Sequence, residues 1–265
     1  MPTVMADYVT ERHLFGRLLE QNPEFRILLI QGQSGTGKTT LLCACRETLE
    51  HHDEEVAVVP IEFRGAAINL VEIFYRTGRM LGWSHFPNFL ALVERFQGLR
   101  TVDIKHTPLI GINNKIEVAI GSDKLKDEEQ RLALLTDTWF DDLERFPHRL
   151  LFMFDSYEKA TTMVRRWLDG PFLIRASDLP HVRVLVAGQK VPNWNNIEWG
   201  KLVRKRHLTG VREVDQWMHV FEALERMVDF ASPHDFLATL CYHCKGQPDV
   251  IRQAIEGLPS RRPEA

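Results

Sequence analysis

Cysteine is scarce in this chain: Cys43, Cys45, Cys241 and Cys244 are the only four among 265 residues. That excludes a fold held together by disulfides. The Cys241-Tyr242-His243-Cys244 spacing is half of a zinc site. A closed site needs a full tetrahedral ligand set, and Cys43 and Cys45, two apart on an expected helix, face different directions. The reading is reduced thiols acting as small apolar residues. Long apolar runs are also absent; none approaches the roughly 18–20 residues that span a bilayer. The opening stretch MPTVMADYVT lacks the cationic start and apolar segment of a secretory signal. No charge sign is in excess: 33 Lys and Arg face 36 Asp and Glu, a net charge of −3. That excludes a cationic sheath for nucleic acid over the whole surface, while leaving room for a local patch. Internal repeats and low-complexity segments are missing as well. The expectation is a cytoplasmic globular protein with no membrane partner and no indicated nucleic-acid partner.

What is present is an alternation of strand and helix signals. Residues 26–31 (RILLIQ), 149–154 (RLLFMF) and 182–187 (VRVLVA) are short apolar runs that read as buried strands. Residues 56–63 (VAVVPIEF) read as a fourth, with Pro60 pointing to an edge or a bulge. Helical spacing covers 39–51, 70–81, 88–96, 127–146 and 159–168, then 213–230, 233–245 and 247–257. Residues 100–122 carry turn signals at Thr107-Pro108 and Asn113-Asn114 and read as a loop or small hairpin. The tail from Ser260 reads as frayed. Strands apolar throughout and separated by helices imply a parallel sheet covered on both faces, a three-layer α/β sandwich. The alternation stops near Thr209, so the expected division is a core over 1–210 and a small helical lid over 211–265.

The strongest local signal is Gly32-Gln33-Ser34-Gly35-Thr36-Gly37-Lys38-Thr39, which fits G-x-x-x-x-G-K-[ST] with a strand before it and a helix after it. Glycines let the loop wrap so that backbone N–H groups point inward at phosphate oxygens, and the helix N-terminus adds its partial positive charge. Lys38 is expected at the β- and γ-phosphates, the Thr39 hydroxyl on Mg²⁺, and Thr40 on the α-phosphate side. The fold expected is therefore a P-loop NTPase of the ASCE, AAA-like type. Such a loop needs a carboxylate at the end of a nearby strand as a partner for Mg²⁺, and Asp155, directly after RLLFMF, fits. The next position, where many ATPases carry an acid, is Ser156. Glu158 is the nearest acid; it either polarises the attacking water or is a helix first-turn acid favoured by the dipole.

GQSGTGKTTLL, LLFMFDSYEKA, VRVLVAGQKVP followed by Trp194, HLTGVREVDQWM and GQPDVI occur in the order and spacing of one family. Across nearly the whole chain, from about Arg26 to Leu258, the sequence resembles the nucleotide-binding domain of prokaryotic STAND ATPases (signal transduction ATPases with numerous domains). The resemblance implies a polar residue facing the γ-phosphate at Gln189, where the family usually has Arg; Gln brings no charge, and Lys190 is beside it. It implies that Pro248 of Gly246-Gln247-Pro248 lies against adenine, although a helix-capping Gly followed by a helix-starting Pro is common by itself. Tyr8 and Val9 are implied adenine neighbours in a degenerate N-terminal motif. The family usually continues into sensor and effector parts, so a chain ending at Ala265 is expected to be a piece of a larger switch or a short member whose partners act in trans.

Smaller features have plainer readings. Residues 203–207 (VRKRH) are basic and read as a solvated loop or strand face, and Arg165-Arg166 as ion-pairing residues rather than an arginine finger. Trp139, Trp167, Trp194, Trp199 and Trp217 read as packing residues. Together these point to an ATP/ADP switch that binds Mg-ATP, hydrolyses it slowly and, by the resemblance, forms a homo-oligomer in the ATP state for signalling in bacterial conflict or defence. The alternatives are a nucleotide-loaded adaptor without turnover and a P-loop kinase; the shortage of cations in the lid weighs against the kinase.

Overall fold

The computed structural model describes residues 5–52, 56–64, 68–98, 111–121, 125–228 and 232–260. Its centre is a five-stranded sheet of β1 (Ile27–Gly32), β2 (Val56–Glu62), β3 (Arg149–Asp155), β4 (Val182–Gly188) and β5 (Val203–Leu208), in the order β2-β3-β4-β1-β5. Every neighbouring pair is parallel. The side-chain period of two sorts the apolar strands cleanly between the faces. Leu29, Ile61, Phe152, Phe154, Val184 and Val186 join one core, while Leu28, Ile30, Leu151, Met153 and Leu185 join the other. Pro60 lies on the edge strand β2, where its missing N–H costs no inner ladder bond.

Helices cover both faces: α1 (Val9–Leu18), α2 (Lys38–His52), α3 (Leu70–Leu81), α4 (Pro87–Gly98), α5 (Ile112–Ile120), α6 (Leu125–Leu143), α7 (Thr162–Trp167), α8 (Leu173–Asp178), α9 (Val214–Ala223), α10 (Pro233–His243) and α11 (Pro248–Glu256). Residues of α3 to α8 build the first core, around Trp139. Residues of α1 and α2 share the second with Trp217, Leu237 and Ile251 from the last three helices. The helical C-terminal part thus packs on the same side as the helix that follows the glycine-rich loop.

Several expectations change. Asn113 and Asn114, read as a turn, sit in the first turn of α5, because burial of Ile116, Ala119 and Ile120 outweighs local turn propensity. The Thr107-Pro108 half of that segment lies outside the described residues. The helix expected over 213–230 ends at Ala223, with Glu225 at a left-handed φ of 50°. The one expected over 159–168 begins at Thr162 and runs on through a π-helical turn, Leu168–Phe172, into α8. Ser260 pairs with Arg226 in an isolated bridge rather than fraying; 261–265 lie outside the described residues. The basic run 203–207 is the edge strand β5, where charge discourages pairing with another chain. Arg204 pairs with Glu24 at 2.9 Å, and Arg206 with the buried Glu11 at 3.0 Å.

Helix α1 has no counterpart in the strand and helix signals, and distant cations hold it. The buried Arg183 of β4 donates from Nε to the Leu18 carbonyl (2.7 Å) and from a terminal nitrogen to that of Glu20 (3.0 Å), while Arg149 donates to that of Leu19. These are the open carbonyls of a helix C-terminus, which attract positive charge. Burial, then Arg26 and Arg149, pull the Arg183 pKa down to about 10, so it remains a cation at neutral pH. With Glu11 bound to Arg206, α1 is fixed along its length, and its N-cap residue, Tyr8, is aimed at the loop after β1.

Backbone meets backbone where the C-terminal helices join the sheet. Val211 N–H donates to the Gly246 carbonyl at 2.7 Å, and a Cβ on Gly210 would lie 2.4 Å from that oxygen. Gly210→Ala is expected to cost about 1–3 kcal/mol through this overlap, seen as a melting temperature several degrees lower. Gly16→Ala is the control: a Cβ there meets nothing within 4 Å, and replacing a helical glycine should add about 0.5–1 kcal/mol.

Candidate functional site

The site forms at the C-terminal ends of the strands, where parallel α/β sheets present their loops. The loop from Gly32 to Gly37 leaves β1 and re-enters as α2. Gly35 and Gly37 hold φ of 79° and 77°, left-handed values that an L side chain would strain. The Thr36 hydroxyl donates to the Gln33 carbonyl at 2.9 Å and tightens the turn. No acid of its own occupies the first turn of α2, which leaves the positive end of the helix facing the loop.

Lys38 is buried and curls back, its Nζ donating to the carbonyls of Gly32 (2.8 Å) and Gln33 (2.6 Å). Burial lowers its pKa; Glu158, Asp155 and Asp249 push the other way, and the Arg64 charge adds to the lowering. Thr39 donates its hydroxyl hydrogen to Asp155 Oδ2 at 2.7 Å. Asp155 is itself buried, and its other oxygen, Oδ1, has no partner among the described residues. An orphaned buried carboxylate oxygen beside a threonine hydroxyl is a donor set suited to a hard divalent cation, so Mg²⁺ fits the residues present.

Strand β3 is followed by Ser156 in the left-handed region, φ 61°, and then by a short 3-10 turn, Tyr157–Lys159. The turn carries Glu158 toward the end of β4, where its Oε2 accepts the Gln189 backbone N–H at 2.8 Å. The Gln189 carbonyl in turn accepts from Gln31 Nε2 at 3.0 Å. Gly188 leaves room for this: a Cβ there would lie 2.7 Å from Glu158 Oε2 and 2.4 Å from the Lys190 carbonyl oxygen. Lys190 is exposed.

On the other side of the loop, the Tyr8 hydroxyl donates to the Thr36 carbonyl at 2.5 Å and lies 3.2 Å from the Thr209 carbonyl oxygen. Burial, then Asp7, Glu11 and Asp249, raise its pKa, so the phenol keeps its proton. Tyr8, Gly37, Thr40, Val211, Trp217 and Pro248 line a cleft of about 30 Å³, room for a water or two. Asp249 N–H reaches the Gly35 carbonyl at 3.3 Å, tying the start of α11 to the loop.

The structure thus gathers Gly32, Gln33, Ser34, Gly35, Thr36, Gly37, Lys38, Thr39, Asp155, Glu158 and Gln189 at one end of the sheet, with Thr40, Tyr8 and Pro248 around the adjoining cleft. Val9 is 64% exposed and outside that cleft. Arg166 makes a surface pair with Glu129 at 3.9 Å. Sequence reasoning missed Arg64 and Glu62. Glu62 lies opposite Asp155 in the β2–β3 register and lines, with Thr39, Asp155, Arg46 and Arg76, a cavity of about 260 Å³. Arg64, just past β2, donates from Nε to Ser156 Oγ at 2.8 Å. The only signal for either is proximity to the end of β2, which has meaning once β2 is known to flank β3.

The solved structure of Cdc6p from Pyrobaculum aerophilum matches 92% of this chain at a TM-score of 0.50 and 15% identity, and the chain spans 57% of that chain. The likeness concerns the fold alone: an α/β fold with a five-stranded parallel sheet covered by helices. No protein-family model matches the chain, and no curated protein matches it either. No helix among the described residues is long and apolar enough to cross a membrane.

Proposed function

We propose that this chain is an ATP/ADP switch of STAND type that binds Mg-ATP and hydrolyses it slowly. One observation carries the reading: Thr39 and Asp155, 116 residues apart, hydrogen-bond beneath the glycine-rich loop and leave one buried carboxylate oxygen without a partner. A buried polar atom without a partner calls for an explanation, and a bound cation is one that this donor set fits. In this reading the loop amides and the N-terminus of α2 hold the phosphates. Lys38 exchanges the carbonyls of Gly32 and Gln33 for β- and γ-phosphate oxygens. Thr39 and Asp155 would hold Mg²⁺, which neutralises developing phosphate charge when bound.

Adenine takes the cleft of Tyr8, Thr40 and Pro248. Glu158, fixed through the Gln189 N–H, orients the attacking water with its other oxygen. Residues 1–210 act as the nucleotide core and 211–265 as a lid, joined at the Gly210–Gly246 contact. The resemblance in sequence supports oligomerisation in the ATP state and a signalling role in bacterial conflict or defence, with sensor and effector parts fused or acting in trans.

Glu158→Gln tests the chemistry. The variant keeps an acceptor for the Gln189 N–H and loses the base, so phosphate release should fall about 100-fold while ATP affinity is retained. Unchanged release would move the water-orienting role to another residue. One observation favours a second reading, an adaptor that holds nucleotide without turnover: Ser156, not an acid, follows Asp155. Tight nucleotide binding with no phosphate release by the unaltered protein would select it.

A further inference from the structure

We propose that Arg64 is the residue that distinguishes ATP from ADP, a cation delivered to the γ-phosphate from the end of β2 and docked on Ser156. The inference rests on the nucleotide reading above and names the residue that reads the third phosphate. Arg64 leaves β2 at the strand end opposite Asp155, and its Nε donates to Ser156 Oγ at 2.8 Å. Ser156 directly follows the carboxylate that Thr39 contacts, so the guanidinium sits at the metal end of the site, across the loop from the Tyr8–Pro248 cleft.

Docking through Nε leaves the two terminal nitrogens, and among the described residues neither has a hydrogen-bond or ion-pair partner. Asp155 and Glu158 are close enough to act on Lys38, yet neither pairs with Arg64. The Arg64 charge also reaches Lys38, so two cations are gathered at one end of the loop. Like charges gathered at one end of the loop repel; a third phosphate placed between them offsets that repulsion and gains a forked guanidinium contact. ATP brings that anion and ADP does not. Gln189, at the end of β4, adds no charge, and among the described residues Arg64 is the cation whose charge is felt at Lys38. The left-handed φ of Ser156 follows from its task, since it turns the chain at the strand end and offers Oγ to the arginine.

The test is calorimetric titration, with Mg²⁺ present, of a non-hydrolysable ATP analogue and of ADP into the unaltered protein, Arg64→Ala, Arg64→Lys and Ser156→Ala. Arg64→Ala should weaken the ATP analogue about 10- to 100-fold and change ADP by about twofold or less. Arg64→Lys should recover part of the loss, and Ser156→Ala should show a smaller loss in the same direction. Equal weakening of both nucleotides would make Arg64 a fastener of the loop and overturn the inference, as would no effect on either. Lys38→Ala separates this failure from that of the underlying reading: it should weaken both nucleotides. If the unaltered protein binds neither, the nucleotide reading falls and this inference with it.

Discussion

Lys38→Ala should lower ATP affinity about 100-fold and phosphate release by about 100- to 1000-fold, measured by titration with the ATP analogue and by phosphate release at saturating ATP. The size of the effect follows from where the ammonium sits. It is buried, so water screens it weakly, and its present partners are neutral oxygens of its own loop: the carbonyls of Gly32 and Gln33 and, at 3.4 Å, the Thr36 hydroxyl. Exchanging neutral carbonyls for anionic phosphate oxygens adds attraction between unlike charges to hydrogen bonds that the ammonium already makes. That gain is available only when nucleotide is bound. Stability of the free protein should change little, because losing these hydrogen bonds opposes relief of a buried charge.

The lowered pKa gives a pH signature. Between the folded and unfolded values the unfolded chain binds more protons at Lys38, so this residue's contribution makes the free protein more stable as pH rises through that window. ATP binding should weaken over the same window, below the pH at which an ordinary lysine titrates. Turnover unaffected by Lys38→Ala would remove the basis of the ATPase reading.

The largest effect on stability is expected from Trp139→Ala, at about 3–5 kcal/mol, measured by denaturant unfolding. Trp139 is fully buried, with ring centroids of Phe140, Phe74 and Phe152 at 5.0, 5.3 and 5.6 Å. Phe86, Trp167 and Phe172 complete the cluster. A loss of that size is a large share of the roughly 5–15 kcal/mol that holds a domain folded. Trp139→Phe should cost far less, about 1–2 kcal/mol, because the indole Nε1 has no hydrogen-bond partner among the described residues and its removal leaves no acceptor stranded. Equal costs for the two substitutions would show that ring packing there is not what stabilises the domain.

The parts of this molecule legible in its sequence are those fixed by local pattern. Apolar runs marked β1, β3 and β4 to within a residue or two, because a strand buried on both faces has little choice of residue type. Helix α3 matches its spacing, and Asn69 caps it by accepting the Glu72 N–H at 2.9 Å. The glycine-rich loop was visible as a motif set between a strand and a helix, and Asp155 as the acid that ends an apolar run. What escaped depends on strand order or on remote partners. Arg64 is unremarkable until β2 lies beside β3. Helix α1 gains its fixed position from Arg149, Arg183 and Arg206, more than a hundred residues away. Helix α5 is a turn by composition and a helix by burial.

The narrow cleft beside Tyr8 bears on timing. Adenine is far larger than the water or two that the present space admits. For a switch built as proposed, a nucleotide must wait for the phenol to leave the Thr36 carbonyl before it can enter or depart. Exchange then runs at the pace of that opening, and raising nucleotide concentration accelerates it only to a ceiling. A switch built as proposed would, once charged, hold its state for an interval set by the tyrosine latch.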